Sequence, residues 1–147
     1  MRYTLLIAIS LLILGSCTKN KFSSTPSLKF KTVNTTDLFN QGIITFTLHF
    51  TDAEGDLTDS LFVQELVANC PLGGFSELHA LPSFPTSKDI QGDIAVNFQY
   101  NSSGQFEMLP APQCQENDTA VFRFALRDKA LHVSDTVSSP VIIIHYP

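Results

Sequence analysis

The chain has 147 residues, a length that suits one domain around one core. It carries 9 basic against 14 acidic residues, and every acid lies from Asp37 onward, so the body lacks the basic face that nucleic-acid phosphates require. Tryptophan is absent, and twelve phenylalanines supply the bulk for a core.

Met1-Arg2-Tyr3 carries one positive charge. Leu5 to Leu14 then form an apolar run of signal-peptide size, about half of the roughly twenty residues a spanning helix needs. The following Leu14-Gly15-Ser16-Cys17 resembles the lipobox of bacterial lipoproteins. That resemblance implies cleavage before Cys17, diacylglycerol on its sulfur and attachment to a membrane; an ordinary secretory signal ending near a cysteine is the alternative. The expected organisation is a signal peptide over 1–16, a lipidated cysteine with a flexible polar linker over 17–27, and one domain over 28–147. Lys19, Lys21, Lys29 and Lys31 near the anchor either touch anionic head groups or, as the blander reading has it, solvate the tether. Outside the reducing cytoplasm the remaining cysteines, Cys70 and Cys114, are expected to pair as a disulfide. Neither has a second cysteine at zinc-ligand spacing.

Beyond the linker, apolar residues recur at every second position, the mark of strands with one buried face. A first strand is expected over Ser27 to Val33. Ile44, Phe46, Leu48 and Phe50 alternate with Thr45, Thr47, His49 and Thr51 in the clearest case. Less regular strands are expected over Leu61 to Val67 and Ser76 to Leu81. Ile94, Val96, Phe98 and Tyr100 repeat the alternation, as do Phe122, Phe124 and Leu126, and the β-branched run Val141 to Tyr146 closes the domain. Cys70 to Gly74, Pro82 to Gly92 and Asn101 to Asn117 hold most of the Pro, Gly and Asn and read as connections. Some seven short strands without a long amphipathic helix predict an all-β fold, an antiparallel immunoglobulin-like sandwich.

Phe46-Thr47-Leu48-His49-Phe50-Thr51-Asp52-Ala53-Glu54-Gly55-Asp56-Leu57, behind a lipobox and a polar linker, resembles the small Ig-like or cadherin-like lipoproteins of Bacteroidota-type bacteria, in which a strand ends in a pattern close to F-x-D-x-D-G-D-L. Gly92-Asp93-Ile94-Ala95-Val96 and the stretch from Phe122 through Asp128 to Ser134-Asp135-Thr136-Val137 fit the same group. Much of that group has no assigned activity, so the resemblance implies fold and location more than function. Two departures stand out: Glu54 replaces the more usual Asp, and Ala130-Leu131-His132 replaces a Gly-Asn turn.

The candidate site is the acidic loop Asp52, Glu54, Asp56 and Asp59, with Asp128 brought alongside by the fold. Calcium takes six to eight hard oxygen ligands, and carboxylates at alternate positions around a Gly-permitted turn can converge on one ion. The spacing is not that of an EF-hand, whose loop needs Gly at its sixth position, whereas Gly55 is fourth here. The alternative is a polar β-turn that caps a strand and discourages edge pairing. His49, His79, His132 and His145 lack ligand spacing and read as surface or satisfied strand residues. There is no G-x-S-x-G, and a disulfide would disable both remaining cysteines as nucleophiles. Asp59-Ser60-Leu61, Asp118-Thr119-Ala120 and Asp135-Thr136-Val137 look like D-[S/T]-apolar O-glycosylation sites.

The expected function is a non-enzymatic, lipid-anchored module of the cell envelope that binds another envelope protein or a glycan. A structural subunit of an envelope assembly and a hydrolase with an unrecognised carboxylate pair are the alternatives. An outer-membrane anchor facing the periplasm or the surface is expected, and the lack of acids in Thr18-Lys19-Asn20-Lys21 favours the periplasm.

Overall fold

The computed structural model describes residues 21–147 apart from 58–59, 84–86 and 103. The expected signal peptide and the lipidation at Cys17 lie outside the described residues. Ten strands and no helix are found among the described residues: β1 (Ser27–Val33), β2 (Asp37–Leu38), β3 (Ile43–Asp52), β4 (Ser60–Val67), β5 (Ser76–Ala80), β6 (Ile90–Tyr100), β7 (Glu107–Leu109), β8 (Asp118–Arg127), β9 (Val137–Ser138) and β10 (Ile142–Ile144). They form two sheets, one in the order β1-β3-β6-β7, the other β2-β10-β8-β4-β5 with β9 paired to β8.

Alternation decides which face of each strand is buried. Ile44, Phe46, Leu48 and Phe50 of β3 are all 3% exposed or less, while the residues between them stay half-buried. Phe122, Phe124 and Leu126 on β8, and Val96, Phe98 and Tyr100 on β6, bury in the same way. The two sheets meet through these rings. Phe46 of the first sheet lies 4.7 Å from Phe122 and 5.2 Å from Phe124 of the second, centroid to centroid, and Phe98 lies 6.1 Å from Phe122. Each fully buried side chain of this size contributes about 1.5–3 kcal/mol by leaving water. The hydroxyl of buried Tyr100 donates to the His145 carbonyl at 2.8 Å, so its one polar atom is satisfied.

The all-β class matches the periodicity, and the expected first strand has the observed bounds. The expectation of a purely antiparallel arrangement needs correction. β2 runs parallel to β10, and β7 runs parallel to β6. Both are two- or three-residue strands, too short to show a period, and β7 falls inside the segment read as a connection. The expected bridge is present: Cys70, just after β4, is bonded to Cys114, just before β8, with Cα atoms 5.8 Å apart.

Part of the expected linker lies against the domain. The backbone N–H groups of Lys21 and Phe22 donate to Asp89 Oδ1, the Ala53 N–H donates to the Ser23 carbonyl, and Pro26 is buried. Every described strand and every core residue lies from Ser27 onward, so the chain from Thr18 contains the whole described fold.

Candidate cation site

The two central strands each carry an aspartate two residues beyond their last core residue. On β3 the inward series Ile44, Phe46, Leu48, Phe50 continues to Asp52; on β8 the series Phe122, Phe124, Leu126 continues to Asp128 just past the strand end. A period of two therefore aims both carboxylates into the end of the sandwich, one from each sheet. Both residues are 0% exposed.

Asp56 reaches them through a turn. Asp52 Oδ2 accepts the Gly55 N–H at 2.6 Å and the Asp56 N–H at 3.3 Å, an Asx-type arrangement that folds the chain back on the strand end. Gly55 sits at φ 71°, and a Cβ there would collide with the Ser87 carbonyl oxygen. Gly55→Ala should therefore lose about 2 kcal/mol or more in urea unfolding, from the left-handed backbone and the clash together; an unchanged midpoint would mean that the 53–57 turn rearranges freely. On the opposite side, the Lys129 N–H donates to the Asp56 carbonyl at 3.1 Å. Asp128 Oδ1 accepts the His132 N–H at 2.8 Å, and its Oδ2 lies 2.9 Å from His132 Nδ1. Leu131, one of the residues that replace the usual Gly-Asn turn, takes φ 69°, a conformation Gly or Asn adopts more easily.

One carboxylate oxygen from each of Asp52, Asp56 and Asp128 lies within 4.8 Å of the others. Asp52 Oδ1 and Asp56 Oδ1 are buried and accept no hydrogen bond among the described residues. Burial pushes the Asp52 carboxyl above its ordinary value; the Gly55 and Asp56 N–H groups pull it down, and the Asp56 and Asp128 charges push it further up. Three carboxyls gathered with two orphaned oxygens form a donor set for a hard cation, which would satisfy those oxygens and offset the repulsion. Of the five residues expected, the fold brings together Asp52, Asp56 and Asp128. It leaves Glu54 exposed and outside the group, and Asp59 lies outside the described residues.

Three histidines have ordinary strand or turn partners: His49 with Asp93 at 2.8 Å, His132 with Asp128, and His145 with Asp37 at 3.4 Å and stacked on Phe39. His79 differs, because it stands with Glu77 and Glu107 in a second group of potential ligands that spacing along the chain did not single out. The only sequence signal for it is Glu77 and His79 at i, i+2 on one strand face; Glu107 gives none. Of the three O-glycosylation patterns, Ser60 is buried in β4 and Thr119 half-buried in β8, whereas Thr136 is exposed.

No protein-family model and no curated protein matches the chain. The solved structure of Spo0M, the sporulation control protein of Bacillus subtilis, superposes with a TM-score of 0.46 at 10% identity, over 85% of this chain and 51% of that one. The chain spans about half that protein's length, and a likeness of this degree carries no argument about activity.

Proposed function

We propose that the chain is a non-enzymatic, lipid-anchored module of the cell envelope, an Ig-like sandwich of the kind found in small Bacteroidota-type lipoproteins, whose acid-lined end binds calcium and which engages another envelope protein or a glycan. The lipobox-like Leu14 to Cys17 supports the anchor, at an outer membrane and facing the periplasm or the surface. The observation that carries the calcium reading is the convergence of Asp52, Asp56 and Asp128 with two buried oxygens that find no hydrogen-bond partner among the described residues. Bound there, calcium would fasten the end of β3 to the end of β8 and so set the loops at that pole of the sandwich.

A melt of the chain from Thr18 with and without calcium tests this. For a site of millimolar affinity, tenfold excess calcium adds about 1.4 kcal/mol and raises the midpoint by a few degrees. Asp52→Asn should abolish the rise. If calcium leaves the wild-type midpoint unchanged, the Asp52 to Asp56 loop is a structural turn. A second reading, an accessory subunit of an envelope assembly, is favoured by a shallow groove whose rim includes the exposed Leu66 and Val141 beside Val121. Stoichiometric partners after mild detergent extraction would favour that reading, and a chain that comes out alone would favour the ligand binder.

A further inference from the structure

The edge strands β5 and β7 close the two sheets on one side of the molecule, and their inner faces carry polar groups beside the buried Leu109. In the β4–β5 register Glu77 stands opposite Val63 and His79 opposite Leu61, while in the β6–β7 register Glu107 stands beside Phe98. Val63, Leu61 and Phe98 all belong to the core. Residues paired in register share a face of the sheet, so Glu77, His79 and Glu107 occupy core-facing positions. Leu78, between the first two, points the other way and is 62% exposed. Beside the core residue Leu109 of β7, this edge presents two carboxyls and an imidazole.

These groups converge across the gap between the sheets. His79 Nδ1 lies 3.0 Å from Glu107 Oε2, and one donor atom from each of the three residues lies within 4.8 Å of the others. The ring of His79 stands edge-on to Phe98 with centroids 5.9 Å apart, and its Nε2 is buried without a partner among the described residues.

We propose that Glu77, His79 and Glu107 form a binding site for a borderline divalent ion of the zinc class, fastening β5 of one sheet to β7 of the other. One imidazole nitrogen with two carboxylate oxygens is a donor set for zinc and its neighbours, whereas calcium takes oxygens alone. Zinc holds such ligands at about 2.0–2.2 Å, which sets two ligands of one ion roughly 3–3.5 Å apart. The His79–Glu107 separation already lies in that range, and Glu77, whose side chain is exposed, needs only to swing inward. Three protein ligands leave a fourth position open to water or to a ligand from outside. This site is independent of the aspartate cluster and does not rest on the calcium reading.

Zinc titration of the untagged chain from Thr18, in millimolar calcium, tests the site; Cys70 and Cys114 are bonded to each other, so no thiol competes for the metal. The expected result is one zinc per chain and a raised melting midpoint. Glu77→Gln and His79→Gln should each weaken binding by about tenfold or more and remove the rise, while Asp52→Asn changes neither. Glu77 is exposed, so its variant keeps the fold, which the metal-free melt verifies. Inward charges on edge strands also discourage pairing with other chains, a role that needs no metal. Absence of zinc binding, or binding that both variants leave intact, would overturn the proposal and leave that role in its place.

Discussion

Glu65→Gln should make the protein more stable at pH 8 and leave it nearly unchanged at pH 4.5. Glu65 falls on the inward series of β4 with Leu61 and Val63, stands opposite Phe122 in register, and is 7% exposed. Burial, and secondarily the Asp118 charge, push its carboxyl from 4.5 up to about 7. A carboxyl with a raised folded-state value binds its proton more tightly when folded. Its contribution is therefore fully present below pH 4.5 and is lost as the pH rises through about 7. The gap corresponds to about 3 kcal/mol, the full cost of holding a buried carboxylate at alkaline pH. Glutamine keeps the shape and never ionises. Because burial raises the Asp52 and Asp118 carboxyls too, the quantity to measure is the difference between wild type and variant in urea unfolding across pH 4.5 to 8. A difference that stays flat with pH would show that Glu65 reaches water and titrates normally.

Breaking the disulfide should have the largest effect on the folded chain. Cys70 and Cys114 are 44 residues apart, and opening a loop of that size frees about 4 kcal/mol of unfolded-chain entropy. For a domain of this length that is a fall in midpoint of roughly 10–20 °C. Cys70 is buried and Cys114 exposed, so reductant has access from the Cys114 side. The double variant Cys70→Ala/Cys114→Ala should melt where the reduced wild type melts and should not respond to reductant. A double variant as stable as the oxidised protein would place the stability elsewhere, in the Phe46, Phe98, Phe122 and Phe124 cluster.

Both effects bear on the proposed role. The bridge pins the segment that contains β7, and β7 supplies Glu107 to the second group of potential ligands. A reduced chain should therefore hold the Glu77–His79–Glu107 set less firmly while leaving the Asp52–Asp56–Asp128 cluster, at the ends of β3 and β8, in place.

The sequence by itself determined the all-β class, the faces of β3, β6 and β8, and the expectation that Cys70 and Cys114 pair, because each of these follows from a local rule: a period of two, or an even pair of cysteines behind an export-like N-terminus. It also carried most of the aspartate cluster, since extending the β3 and β8 periods by two residues lands on Asp52 and Asp128. Only the tertiary structure decided the rest. The parallel pairing of β7 with β6 and of β2 with β10 depends on strands of two or three residues, β2, β7 and β10, too short to have a period, so nothing local specifies it. Glu54 had the spacing of a ligand, yet the Gly55 turn leaves it exposed, because Asp52 accepts the N–H groups of Gly55 and Asp56 and draws Asp56 inward instead. Glu77, His79 and Glu107 meet only because two sheets end on the same side, and a contact between two edge strands leaves no trace in the spacing of either.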